Sequence, residues 1–65
     1  MAEKIDVTDE IRKLEARLRD TPVPDEWRRV LGIVARWQED SMLTDRSRQM
    51  AATLVQECRR KLLFA

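Results

Sequence analysis

Only two short stretches of this chain interrupt helix formation, and they divide it into three segments. The prolines Pro22 and Pro24 occupy the first stretch, and Ser41–Thr44, which begins and ends with cap-type residues, forms the second. The rest of the chain is compatible with helix; Gly32, the only glycine, lowers helix stability without ending the second segment. The sequence therefore predicts an all-α protein with helices over residues 8–20, 24–40 and 44–63.

The first segment has one narrow apolar seam. Four apolar residues follow one another at spacings of four, three and four, which places them on one side of a helix. They are Val7, Ile11, Leu14 and Leu18. Thr8 stands where an N-cap is expected, because it is followed by acidic residues that favour the positive end of the helix dipole. The seam predicts that this helix packs on the others through these four side chains.

The second segment is predicted to be the central helix. Pro24 suits the first helical position, since the N–H that proline lacks would have no partner there. Apolar side chains then cover an arc of about 200° when residues are plotted at 100° intervals. They are Trp27, Val30, Leu31, Ile33, Val34, Ala35 and Trp37. An arc this wide predicts contact with more than one neighbour.

The third segment follows Thr44, a second expected N-cap, and carries one apolar stripe. The stripe consists of Met50, Ala51, Leu54, Val55, Cys58 and Leu62. We expect the second and third helices to form an antiparallel hairpin on which the first packs, in a single domain over residues 1–65. A chain of 65 residues buries only about 60% of its unfolded surface, so we expect homodimerisation to complete the fold.

The residue types used for catalysis and metal binding are scarce. The chain has no histidine, no tyrosine and one cysteine, which excludes a disulfide scaffold and a Cys/His zinc site within one chain. Cys58 lies on the apolar stripe, so it is interpreted as a core residue, with a reactive thiol as the alternative. One glycine cannot form a glycine-rich phosphate loop. We therefore expect no enzymatic activity, no cofactor and no small-molecule substrate.

Charge is distributed unevenly along the chain. Residues 1–26 carry eight acidic and five basic side chains, whereas residues 27–65 carry four acidic and eight basic ones. Such polarity favours pairing between segments, pairing between copies, or a basic face for an acidic partner. No uncharged run approaches the roughly 20 residues of a membrane span, and residues 1–4 contain no apolar targeting segment. We expect a cytoplasmic protein without a membrane partner.

The first functional hypothesis is a non-enzymatic protein-interaction module, such as a regulator, adaptor or inhibitor. Two short helices cannot cover the whole apolar arc of the second helix, and tryptophan is strongly enriched at interface hot spots. The predicted anchors are Trp27, Ile33, Trp37, Leu63 and Phe64. The alternative for the two tryptophans is that they anchor the core of a domain with few aromatic residues.

The second hypothesis is a small nucleic-acid-binding regulator that uses an arginine-rich face of the third helix. Guanidinium groups recognise phosphates and base edges, and serine and glutamine side chains lie beside them in the sequence. The candidate residues are Arg46, Arg48, Arg59, Arg60 and Lys61. A solvated helix surface is the alternative for these charges.

Overall fold

Three α-helices make up most of the chain. The computed structural model describes residues 3–20 and 23–63. In chain order the helices are α1 (Thr8–Asp20), α2 (Pro24–Glu39) and α3 (Asp45–Leu63). The all-α prediction is confirmed for the described residues, in which the only β-type pairing is an isolated bridge between Ile5 and Leu43. The predicted helix bounds differ from these by no more than one residue.

The start of α1 differs from the prediction. Thr8 is not the N-cap: the N–H of Ile11 donates to the carbonyl of Val7 at 3.0 Å, so the first helical hydrogen bond begins one residue earlier. The carboxylate of Asp6 caps this end, accepting the backbone N–H of Thr8 at 2.9 Å and its hydroxyl at 2.7 Å. Asp6 can therefore satisfy an N–H of the first turn that has no helical partner.

The connection between α2 and α3 is short and capped at both ends. Asp40 adopts an extended conformation after α2, and its N–H donates back to the carbonyl of Trp37. Thr44 is confirmed as the N-cap of α3, because its Oγ1 accepts the N–H of Ser47 at 3.2 Å and its carbonyl accepts that of Arg48. Pro24 occupies the first turn of α2, as expected.

Helices α2 and α3 pack closely as an antiparallel hairpin. At one end, the ammonium of Lys61 lies 5.9 Å from the ring centroid of Trp27. At the other end, Gln38 and Asp45 line one cleft. The start of α2 thus lies beside the end of α3, and the end of α2 beside the start of α3. This arrangement agrees with the hairpin of the second and third helices that the sequence predicts.

Helix α1 packs on the hairpin, mainly against α3. Ile11 and Leu18 are each 1% exposed, and Val7 and Leu14 are half-buried against the same core. The predicted seam is therefore confirmed. The core cluster consists of Ile11, Leu18, Trp27, Val30, Val34, Ala51, Leu54, Val55 and Cys58.

Candidate protein-interaction surface

The predicted apolar anchors do not form one surface. Trp27 is 8% exposed and belongs to the core cluster, so it takes the alternative role of core anchor. Leu63 is 81% exposed at the end of α3, two residues beyond the Lys61 that lies over Trp27. Phe64 lies outside the described residues.

Ile33 and Trp37 lie one helical turn apart on one flank of α2. Both are half-buried, and Trp37 packs against the core, whereas Ile33 is not part of the packed cluster. Ten residues of helix separate Trp37 from Trp27, a rise of about 15 Å. Leu63 lies at the Trp27 end of the hairpin, so Trp37 and Leu63 belong to separate surfaces at opposite ends of the molecule.

The largest exposed apolar side chains at the Trp37 end are two that sequence reasoning did not select. Ile5 is 53% exposed and Met42 is 48% exposed. The N–H of Ile5 donates to the carbonyl of Met42 at 2.8 Å, which makes the two residues neighbours. We call Ile5 and Met42 the bridge corner. Their only sequence signal is weak: one apolar residue before the first helix and one inside a turn.

The bridge corner belongs to a short extended segment with one open edge. Both backbone groups of Ile5 form hydrogen bonds with the 42–44 turn: its N–H donates to Met42, and its carbonyl accepts the N–H of Thr44 at 3.0 Å. In an extended chain the backbone groups of successive residues point to opposite edges. The N–H and C=O groups of Lys4 and Asp6 therefore lie on the other edge, and within the described residues they make no hydrogen bond. Glu3, Lys4, Ile5 and Asp6 are all exposed.

A buried hydroxyl holds this segment against α3. Ser47 is fully buried, and its Oγ accepts the N–H of Val7 at 2.9 Å and the hydroxyl of Thr44 at 2.8 Å. Its own hydroxyl donates to Oδ1 of Asp6 at 3.4 Å. Hydrogen bonds from the backbone and the hydroxyl of Thr8 lower the pKa of Asp6 below its ordinary value, and Ser47 adds to this effect. The segment is thus fixed by four polar residues that the sequence pattern did not connect.

The candidate basic residues fall into two groups at opposite ends of α3. Arg48 forms an ion pair with Asp45, whereas Arg46, Arg59 and Arg60 are exposed and make no salt bridge among the described residues. Arg46 and Arg59 are thirteen residues apart, a helical rise of about 20 Å. The remaining candidate, Lys61, lies over the Trp27 ring. Ser47, which lies beside these arginines in the sequence, is buried and unavailable to a nucleic acid.

One shallow cleft of about 310 Å³ lies between the end of α2 and the start of α3. It is lined by Gln38, Asp45, Arg48, Gln49 and Ala52. Arg48 Nε is buried there without a hydrogen-bond partner. The described residues contain no cluster of three His, Cys, Asp or Glu side chains able to hold a metal ion.

Cys58 is a core residue of α3. It is fully buried, and desolvation, with a smaller contribution from Glu57, raises the pKa of its thiol to about 11. A thiol with a raised pKa is a poor nucleophile at neutral pH, because the thiolate is the reactive form. This favours the core interpretation of Cys58 over the reactive one.

The comparisons with known proteins give no relative. No family model matches the chain, and neither a curated protein nor a solved structure matches it. No helix among the described residues is sufficiently long and apolar to cross a bilayer. A functional assignment therefore depends on the surface geometry alone.

Proposed function

We propose that this protein is a small non-enzymatic interaction module, acting as a regulator, adaptor or inhibitor, that binds a protein partner through the bridge corner. One observation carries the proposal: Ile5 and Met42 are adjacent, each about half exposed, beside an open strand edge. Burying two such side chains is favourable at about 25 cal/mol per Å² of apolar surface removed from water. The open edge adds backbone hydrogen bonds that a partner strand can complete.

The bridge corner is held in place before any partner binds. Two backbone hydrogen bonds tie Ile5 to the 42–44 turn, and the Ser47 hydroxyl fixes the adjacent Val7 N–H. Less conformational entropy is lost when a surface is already ordered, so binding retains more of the energy of its contacts. Trp37 and Ile33, the two predicted anchors that are half-buried, lie in the half of α2 that precedes the 42–44 turn. Leu63 is a separate exposed residue at the far end.

A photoreactive residue placed at Met42 tests this proposal in cells that naturally express the protein. The matched control carries the same residue at Thr53, an exposed position on α3 away from the bridge corner. We expect position 42 to form a covalent adduct with one protein species and position 53 to form none. The adduct is expected to be lost when Ile5→Lys is added, because a charge replaces the apolar contact. Equal labelling at both positions, or no adduct at position 42, would overturn the proposal.

A second candidate, nucleic-acid binding, is supported by the arginines that lack carboxylate partners. The salt bridges of Arg12, Arg28 and Arg29 link each to an acidic residue three positions away, whereas Arg46, Arg59 and Arg60 have none among the described residues. Phosphate binding by these groups predicts affinity for a DNA duplex that falls steeply with added salt. We expect Arg60→Ala to weaken such binding and Arg12→Ala, whose guanidinium on α1 is already paired with Asp9, to leave it unchanged. A DNA affinity that does not change with salt concentration would exclude this candidate.

A further inference from the structure

We propose that the open edge of residues 3–6 pairs with the same edge of a second copy, antiparallel and centred on Ile5. This inference rests on the proposed function and names its partner. The arrangement extends the bridge into a ribbon: in each copy the 42–44 turn occupies one edge of the segment, and the second copy occupies the other. The register follows from the backbone groups and the charges of three residues.

The direction of the backbone groups selects which residues pair. In an antiparallel pair, two directly opposed residues exchange both of their N–H···O=C bonds. Ile5 directs both groups inward, so among residues 3–6 only Lys4 and Asp6 have groups available on the open edge. A twofold pairing centred on Ile5 therefore places Lys4 opposite Asp6 of the second copy, and Asp6 opposite Lys4 of the second copy. This register makes four hydrogen bonds and leaves the two Ile5 residues facing each other in a non-hydrogen-bonded pair.

The side-chain charges select the same register. Directly opposed residues of opposite charge stabilise a strand pair, and like charges in that position destabilise it. The register centred on Ile5 opposes Lys4 to Asp6 twice. A shift by two residues places Lys4 opposite Lys4 or Asp6 opposite Asp6, and a shift by one residue removes the backbone partners. Only the register centred on Ile5 satisfies both conditions.

The side chains of Lys4 and Asp6 are able to form the ion pairs of this register, and Ile5 provides its apolar centre. All hydrogen bonds to the Asp6 carboxylate from described residues go to Oδ1, which leaves Oδ2 for the ammonium of Lys4 from the second copy. The side chain of Lys4 is 52% exposed, and its one ion pair within the described residues is a long one of 3.9 Å with Asp45. At the centre, the pairing brings together two copies of Ile5, each 53% exposed. The interface has an apolar centre and a charged rim.

A cysteine at the centre of the proposed register provides the sharpest test. Non-hydrogen-bonded partners have Cα atoms about 4.5 Å apart, within the range of a disulfide. Two Ile5→Cys side chains therefore face each other, whereas two Lys4→Cys residues lie about 9 Å apart, beyond disulfide reach. We expect Ile5→Cys to form a covalent dimer in a glutathione redox buffer and Lys4→Cys to remain largely monomeric. The native Cys58 does not compete, since it is fully buried. Equal dimerisation of the two variants, or none with Ile5→Cys, would overturn the proposal.

The unmodified chain provides an independent test. An edge this short buries little surface, so we expect a weak dimer that is populated at about 1 mM chain. Lys4→Pro removes an N–H that makes no bond within the described residues, so it blocks the open edge without breaking the bridge. Lys4→Ala is the matched control, because it removes the same charge and keeps the N–H. We expect Lys4→Pro to be monomeric and Lys4→Ala to dimerise more weakly than the natural chain, with equal helicity in all three. A natural chain that is monomeric at 1 mM would overturn the proposal.

The two proposals fail in different ways. A chain that stays monomeric in both tests, but whose Met42 probe still labels another protein, would overturn the second-copy pairing and leave the interaction module standing. A chain that is monomeric and whose Met42 probe labels nothing would overturn both. Labelling of Met42 by a second copy, together with the Ile5→Cys dimer, would support both.

Discussion

The hydroxyl of Ser47 accepts the backbone N–H of Val7 at 2.9 Å, joining two residues that are forty positions apart. Ser47 is fully buried, so this bond ties the start of α3 to the start of α1 in the absence of water. Replacing Ser47 by alanine leaves the Val7 N–H without its partner. We expect Ser47→Ala to lower the free energy of unfolding by about 1–3 kcal/mol, measured by urea denaturation.

The matched control for Ser47→Ala is Thr53→Ala. Thr53 is exposed on α3, and its hydroxyl donates to the carbonyl of Gln49 within the helix. We expect this change to shift the free energy of unfolding by less than about 0.5 kcal/mol. Equal effects of the two substitutions would contradict the role assigned to Ser47.

The lowered pKa of Asp6 predicts that the stability of the fold depends on pH. Its pKa is lowered from 3.8 in the folded protein, chiefly by the backbone N–H of Thr8 and then by the Thr8 hydroxyl. A lowered folded pKa stabilises the fold above the unfolded pKa, and this stabilisation is lost as the pH falls through the folded pKa. We expect the melting temperature of the natural chain to exceed that of Asp6→Asn at neutral pH. The difference should shrink below about pH 4. A difference that is constant down to pH 2 would contradict this prediction.

Replacing Gly32 by alanine is expected to stabilise the fold. The glycine lies in the interior of α2 and is exposed, and apart from its chain neighbours and the backbone of its own helix no atom lies within 4 Å of the position where a Cβ would stand. Its φ is not positive, so alanine fits the backbone without strain. We expect Gly32→Ala to raise the free energy of unfolding by about 0.5–1 kcal/mol, because alanine loses less backbone entropy on helix formation. A destabilised variant in urea denaturation would show that the glycine has another role.

The two tryptophans are expected to behave differently. Trp27 is 8% exposed in the core cluster, whereas Trp37 is half-buried at its edge. We expect Trp27→Ala to cost about 3–5 kcal/mol of unfolding free energy and Trp37→Ala distinctly less. Acrylamide quenching of the single-tryptophan variants Trp27→Phe and Trp37→Phe gives a second readout. Quenching is expected to be weaker for the variant that retains Trp27, and the reverse order would contradict the packing described.

Cys58 is expected to be unreactive in the folded protein. Burial raises the pKa of its thiol to about 11, so the thiolate is a very minor species at neutral pH. We expect alkylation by iodoacetamide to be at least about 100-fold slower in buffer than in denaturant, because the thiol must first be exposed by unfolding. Lys4→Cys, with an exposed thiol, is the control for reagent activity. Rapid loss of the Cys58 thiol in native buffer would contradict its burial.

Much of the fold was predictable because its signals are local. The seam of α1, the capping by Thr44 and the position of Pro24 each follow from residues within a few positions of one another. The N-cap of α1 was misplaced by one residue, because Val7 accepts the first helical hydrogen bond and the Asp6 carboxylate, not Thr8, supplies the capping side chain. The candidate surface was predicted less well. A wide apolar arc on α2 does not reveal that Trp27 faces the core while Ile33 lies outside it.

The helix positions, to within one residue, and the apolar stripe of each helix follow from the amino-acid order alone, because helical periodicity and capping act over one or two turns. The pairing of Ile5 with the 42–44 turn and the burial of Ser47 arise only when the three helices pack together. Those outcomes depend on hydrogen bonds between residues about forty positions apart, which leave no periodic signal in the chain. The same long-range pairing leaves Ile5 and Met42 exposed beside an open strand edge.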